Sequence, residues 1–166
     1  MGINIINDNK KNMEEIRKDI KYIINKFDNI NTNKTKIYNN GKYIGEFKND
    51  IREGKGIIYY NNGDRYEGDW KNDIKEGKGI YYYNNGQWKG DRYEGDYKND
   101  KPEGKGIYYW NDGNRYEGDW KNDIREGKGI YYYNNGDREM GDYLNCKKIG
   151  KHVTLHNNGN ITSKNY

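Results

Sequence analysis

Three kinds of residue in this chain could do chemistry by type: paired carboxylates, two histidines and one cysteine. Glu67 and Asp69 stand two apart, and Glu94/Asp96 and Glu117/Asp119 repeat the pair. Alternation along a strand puts both carboxylates of a pair on one face. A glycoside-cleaving acid and base must both face one substrate cleft. A pair that recurs in unit after unit beside lysines reads instead as solvated surface. His152 and His156 share a strand face at i and i+4, but no third ligand stands near them. The recurrent Gly-Lys-Gly lacks the upstream glycine and following Ser/Thr of a phosphate loop. The Asn/Asp turns match neither the calcium loop nor the acidic nonapeptide calcium repeat. Cys146 has no histidine partner that would make it a nucleophile. No catalytic residue, metal site or cofactor is expected, and the chain reads as a non-enzyme.

The elements that carry these residues are copies of one unit. Tyr116–Arg138 reads YEGDWKNDIREGKGIYYYNNGDR, and Tyr93–Arg115 reads YEGDYKNDKPEGKGIYYWNDGNR. Earlier copies are Tyr66–Arg92 and Tyr43–Arg65. The Tyr66 copy is extended by Gln87, Trp88, Lys89 and Gly90. A period of about 23 residues marks a repeat architecture. A degenerate fifth copy covers 139–161, a half unit covers 36–42, and the array as a whole covers 35–161. Residues 1–34 precede it, and 162–166 form a tail expected to fray with Ile161.

Within one copy, Tyr66, Gly68 and Trp70 share a strand face opposite Glu67, Asp69 and Lys71. Asn72-Asp73 makes a polar turn, a second strand runs from Gly77 to Tyr83, and Asn85-Gly86 supplies a hairpin signal. Gly68, Gly77 and Gly79 are read as gaps that accommodate aromatic rings. Aromatic side chains bury roughly 150–250 Å² each, which suits a thin sheet. With 19 Tyr and 2 Phe, the core is expected to be half wet. The fold class expected is an all-β repeat, a single-layer antiparallel β-hairpin solenoid with a short N-terminal α-helix.

Tyr-x-Gly-Asp-Trp-Lys-Asn followed by Glu-Gly-Lys-Gly-Ile-Tyr-Tyr-Tyr and Asn-Gly resembles the membrane occupation and recognition nexus (MORN) repeats. The frame is Tyr66, Gly68, Trp70, Gly77, Gly79 and Gly86, repeated at Tyr93, Gly95, Tyr97, Gly104, Gly106 and Gly113. It returns at Tyr116, Gly118, Trp120, Gly127, Gly129 and Gly136. One departure is Glu53, Glu76, Glu103 and Glu126, where the family often has His. The resemblance implies an assembly or adaptor element at cytoskeletal or membrane-associated structures, with phosphoinositide links in some members.

Hydrophobic residues make up only 31% and charged residues 34%. A solenoid tolerates this, because each unit packs only on its neighbours. Residues 1–42 carry nine Lys/Arg against five Asp/Glu, residues 43–140 carry 17 against 20, and residues 141–166 carry four against one. The repeats lack the basic stripe of a nucleic-acid binder. One cysteine allows no internal disulfide. With no signal peptide or transmembrane run, a cytoplasmic location is expected. Ile6 stands where a myristoylation motif requires Ser or Thr.

Asn12 and Glu15 form a capping-box signal, and Ile16, Ile20, Ile23 and Phe27 make one helical stripe over 13–27. The stripe could pack on the sheet in cis, self-associate or dock on a partner or membrane. The leading functional expectation is a scaffold that binds an apolar helix or peptide of a protein partner along an aromatic groove. Tyr66, Trp70, Tyr93, Tyr97, Tyr116 and Trp120 are its candidate binding residues. One alternative is binding to anionic phospholipid through the basic ends, with Lys147, Lys148 and Lys151 as contacts. Another is a carbohydrate-binding repeat. The open sheet edges also leave homodimerisation as an expectation.

Overall fold

The computed structural model describes positions 13, 14, 16–18, 20, 21 and 34–166. The chain divides into two units, Met1–Asn33 and Lys34–Tyr166. In the first, positions 13–14, 16–18 and 20–21 are helical. Ile23 and Phe27 of the expected stripe lie outside the described residues.

The second unit is built from strands in chain order: β1 (Lys34–Tyr38), β2 (Gly41–Lys48), β3 (Ile51–Tyr60), β4 (Arg65–Lys71), β5 (Ile74–Tyr82) and β6 (Arg92–Lys98). They continue through β7 (Lys101–Tyr109), β8 (Arg115–Lys121), β9 (Ile124–Tyr132), β10 (Arg138–Leu144), β11 (Lys147–Leu155) and β12 (Ile161–Asn165). Each strand pairs with the next, giving one 12-stranded antiparallel sheet in sequence order. β1 and β12 are paired on one side only, so the sheet is open. In place of the frayed end expected at Ile161–Tyr166, Ile161–Asn165 forms strand β12 and Tyr166 exchanges backbone hydrogen bonds with Gly150. β12 pairs with β11 from Leu155↔Ile161 to Lys151↔Asn165, which covers the backbone of the worn fifth unit.

The two-residue hairpin turn falls at Asn-Asp rather than Asn-Gly. Asn72 and Asp73 have φ of 50° and 66°, and Asn99/Asp100 and Asn122/Asp123 repeat this geometry. Positive φ at both central residues is the turn that matches strand twist, and Asn and Asp tolerate it best among side-chain-bearing residues. The Asn-Asn-Gly stretches form longer loops. In the Tyr43 copy the loop is closed by the Tyr60 N–H donating to the Asp64 carbonyl at 2.9 Å.

The core follows from glycine placement. Gly68 faces Gly79, Gly95 faces Gly106, and Gly118 faces Gly129 across their hairpins. Over each glycine pair lies the tyrosine of the same unit, Tyr66, Tyr93 or Tyr116, each with no exposed surface. Its hydroxyl donates to the backbone carbonyl three residues on, at 3.0–3.3 Å. Gly77 does not share this role. Its φ is +93°, and an added Cβ would meet the Asp69 carboxylate, 2.9 Å away, rather than a ring. It sits in the bulge between Gly68 and Trp70, where a left-handed backbone favours glycine. Gly104 and Gly127 recur there.

Successive rings meet edge to face. The line runs Phe47, Tyr43, Trp70, Tyr66, Tyr97, Tyr93, Trp120, Tyr116, Tyr143, with centroids 5.0–5.5 Å apart. Trp70 and Trp120 also donate their indole N–H to the Gly56 and Gly106 carbonyls at 3.2 Å.

Polar side chains clamp each unit to the next at both ends. Asp64 and Asp91 accept the backbone N–H of Asn84 and Asn111, one unit on, at 2.8 Å. Glu53, Glu76, Glu103 and Glu126 accept the turn N–H of Asn72, Asn99, Asn122 and Asn145 at 2.9–3.2 Å. Glutamate at the position where the family often has His is therefore a fitted clamp.

Replacing Gly95 or Gly118 by Val is expected to destabilise the sheet by about 1–3 kcal/mol, the usual cost of overpacking. A Cβ at Gly95 would lie 2.5 Å from the Gly106 Cα, and one at Gly118 2.5 Å from the Tyr116 hydroxyl. Urea unfolding followed by tryptophan fluorescence measures the loss.

Candidate functional site

The six rings expected to line an open groove are the core itself. Tyr66, Tyr93 and Tyr116 are 0% exposed, and Trp70, Tyr97 and Trp120 are 3–8% exposed. The structure brings all six into one line, but they are the floor of the face and present little surface to a partner. The reason is the glycine bed, which lets the rings sink against the backbone.

A second aromatic row on the same face remains partly exposed. Direct cross-strand partners share a face, so the pairing Tyr66↔Tyr81 puts Tyr81 on the ring side, and Tyr83 follows by alternation. Tyr60, Tyr81, Tyr83, Tyr108, Trp110, Tyr131 and Tyr133 touch in sequence, with centroids 4.6–5.9 Å apart. All seven are half-buried. Tyr81 and Tyr108 are tethered by donating their hydroxyls to Asp64 and Asp91 at 3.0 and 2.7 Å. Burial first, and then these carboxylates, push both phenols above their ordinary range. The signal for this row was the Tyr-Tyr-Tyr run at 81–83 and 131–133, whose outer two members alternate onto one face.

Cations lie among the two rows at one equivalent position of the Tyr43, Tyr66 and Tyr116 units. The Arg52 guanidinium is 4.2 Å from the Trp70 ring, and Arg125 is 5.4 Å from Tyr116 and 5.8 Å from Trp110. Lys75 Nζ lies within 5.1–5.8 Å of Tyr60, Tyr66, Tyr81 and Tyr97. Burial pushes its ammonium below its usual range.

The other face is charged. Lys78 pairs with Asp96 at 2.6 Å and Lys128 with Asp142 at 3.4 Å, and Lys55–Asp69 and Lys105–Asp119 repeat the pattern. Asp69 and Asp119 also accept the N–H of Lys78 and Lys128 across the bulge, at 2.9 and 3.0 Å. Each aspartate of the Glu/Asp pairs is thus a structural acceptor, while Glu67, Glu94 and Glu117 face solvent.

The histidines do not act together. His152 replaces the glycine on which the ring would rest, and Glu139 replaces the ring-bearing tyrosine. The imidazole therefore fills the tyrosine's space above Gly141. Its Nε2 takes over the tyrosine's hydrogen bond, donating to the Asp142 carbonyl at 2.9 Å. The carboxylate of Glu139 lies 3.2 Å from Nδ1 of His152. It accepts from Lys148 and Tyr133 at 2.5 Å each and from Tyr166 at 3.2 Å. His156 instead meets Asp137 and Thr162. Of the three candidate lipid contacts, Lys147 and Lys151 are exposed, whereas Lys148 is held in this buried cluster.

An open, single-layer sheet of glycine-seated aromatic hairpins defines an all-β repeat protein. The MORN repeat model matches residues 43–65, 66–88, 93–115 and 116–138. These segments make up more than half of the chain, which belongs to the MORN repeat family. No curated protein matches the sequence significantly. Similar solved structures include the TCP10 domain of Danio rerio CPAP in complex with a peptide of Danio rerio STIL. It is 14% identical, with a TM-score of 0.48, covering 80% of this chain and 64% of that one. Another is the SAS-4 TCP domain of Drosophila melanogaster in complex with a proline-rich motif of Ana2. It is 16% identical, with a TM-score of 0.40, covering 78% of this chain and 82% of that one. This chain thus spans 64% of the length of the first of these domains.

The Glu139 cluster makes a pH prediction. Burial would raise the Glu139 carboxyl, but donation from Lys148 and Tyr133 outweighs it and holds the group below its ordinary value of 4.5. A depressed folded value stabilises the fold fully above the unfolded value, and the contribution fades as pH falls through the folded one. Between about pH 5 and pH 2 the wild type is expected to lose more Tm than Glu139→Gln. Parallel thermal melts across that window check this.

Proposed function

We propose that the chain is a non-enzymatic protein-binding module and that a partner segment, an extended peptide or a helix, lies along the half-exposed aromatic row. The observation that supports it is the continuous run of seven contacting rings from Tyr60 to Tyr133. Aromatic side chains on a rigid face lose little entropy on binding and are frequent carriers of interface energy. An apolar strip of this kind on an otherwise charged molecule marks an interaction surface. The aspartate of each Glu/Asp pair on the opposite face is engaged with lysine and backbone, which favours a scaffold over a catalyst.

Anionic phospholipid binding is the second reading. It rests on exposed Lys147 and Lys151, since Lys148 already neutralises Glu139. Repeats with 17 basic against 20 acidic residues give it no further support. Lipid attraction of this type falls steeply with added salt.

The test compares wild type with the triple variant Tyr83→Ala, Trp110→Ala, Tyr131→Ala, in which the buried floor is left intact. Capture of a protein from cell lysate at moderate salt is expected to drop at least about tenfold in the variant, as hot-spot loss implies. Circular dichroism confirms that the variant is folded. Retained capture, together with salt-sensitive sedimentation on phosphatidylserine vesicles that Lys147→Glu, Lys151→Glu abolishes, would favour the membrane reading.

A further inference from the structure

One unit of the cation line lacks its cation. The series runs Arg52, Lys75, Pro102, Arg125, Lys148 at equivalent positions of successive units. The rings around the third position are nevertheless retained. Tyr83, Tyr93, Tyr108 and Trp120 correspond in turn to Tyr60, Tyr66, Tyr81 and Tyr97 around Lys75. Tyr83–Tyr108 centroids are 5.9 Å apart, as are Tyr60–Tyr81. Tyr93–Trp120 are 5.1 Å apart, against 5.0 Å for Tyr66–Tyr97. Pro102 is buried and pairs with Tyr97. Its side chain ends at the pyrrolidine ring, where Lys75 extends a stem and an ammonium. Among the described residues, no Lys or Arg lies over Tyr83, Tyr93, Tyr108 or Trp120.

A carboxylate is left over at the same place. Asp73 accepts the backbone N–H of Arg52 at 2.9 Å and its Nε at 3.0 Å, and Asp100 accepts the N–H of Lys75 at 2.9 Å. The Asp123 turn sits in the same relation, its N–H donating to the Pro102 carbonyl at 2.9 Å. Proline has no N–H to return. Among the described residues the Asp123 carboxylate has no donor. Asp123 lies at the surface, and partial desolvation by its neighbours pushes its carboxyl above the usual range, with Lys75 and Lys101 opposing. After burial, Asp123 is also the largest influence raising the Tyr83 phenol.

We propose that the Pro102 position is a binding site for the ammonium or guanidinium group of a lysine or arginine on the partner segment. The ring faces of Tyr83, Tyr108 and Trp120 and the carboxylate of Asp123 receive it. A cation over aromatic faces is attracted by the ring quadrupoles, more so where water is partly excluded. The neighbouring units show that rings at these positions accommodate both cation types, since their own Arg and Lys lie over them; at the Pro102 position, Tyr108 and Trp120 instead stack with centroids 6.2 Å apart. Charge complementarity thus selects a basic side chain, and the site fixes the partner's register on the aromatic row. The proposal rests on the docking reading and adds the chemistry of its anchor.

The test is a titration of the nitrogen-15-labelled full chain with a capped Gly-Ser-Arg-Ser-Gly peptide and with its citrulline counterpart. The Trp120 indole N–H is expected to shift saturably with the arginine peptide and about tenfold more weakly with citrulline. Trp70, already covered by Arg52, serves as the internal control and should stay still. Pro102→Arg, which supplies its own guanidinium, should abolish the response, and Asp123→Asn should weaken it several-fold. An unmoved Trp120, equal movement of Trp70, equal binding of citrulline, or undiminished binding by a folded Pro102→Arg each overturns the site. Asp123→Asn tests the site even if Pro102→Arg fails to fold, since undiminished binding there overturns it as well. Lysate capture that is equal in wild type and Pro102→Arg but lost in the triple ring variant would remove this anchor while leaving the docking surface standing.

Discussion

A tyrosine ring seated on a pair of facing glycines is the contact on which the rest of this sheet depends. Tyr43 on Gly45 and Gly56, Tyr66 on Gly68 and Gly79, Tyr93 on Gly95 and Gly106, and Tyr116 on Gly118 and Gly129 are the same event four times. A single layer has no second sheet to pack against, so its own backbone must serve as the other wall of the core. Glycine makes that wall flat, and the phenol hydroxyl ties the ring down by donating to a nearby carbonyl. Each seated ring then offers its edge or face to the next unit, which carries the packing along the chain.

Much of this was legible in the sequence. Spacing gave the units, alternation gave the ring face, and the Tyr/Gly frame gave the layer. The assignment of the exposed face was not legible. Tyr66, Trp70 and their equivalents stand out as a motif because they are buried. The surface row, Tyr81, Tyr83, Tyr108, Trp110 and Tyr131, is hidden in an apparently uniform tyrosine run. Asn72-Asp73 was legible as a polar turn, but its positive φ at both residues was not, because Asn-Gly carried the stronger hairpin signal. The bulge role of Gly77 depends on a positive φ that no pattern of side chains announces.

The fifth unit shows that the seat can be refilled by different chemistry. Glu139 and His152 exchange the sizes of the usual tyrosine and glycine, so the ring now rises from the opposite strand and still donates to the same kind of carbonyl. The substitution brings a buried carboxylate with it, and Lys148, Tyr133 and Tyr166 are drawn inward to satisfy it. A lysine that looks like surface charge in the sequence is recruited into the end cap for this reason.

The strict chain-order pairing has a mechanical consequence. Among the described residues every strand pairs with its sequence neighbours in the sheet, and the remaining bonds reach only the adjacent unit. Tension on the C-terminal end would therefore load the hydrogen bonds between β11 and β12 one after another, in peeling geometry, rather than all at once in shear. Extension would release one unit at a time, each step freeing ~80 Å of contour for about 23 residues. The seated ring and the polar clamps would set the force of each step. Upstream units would remain folded while the end gives way, so the sheet would behave as a compliant, stepwise tether rather than a brittle one.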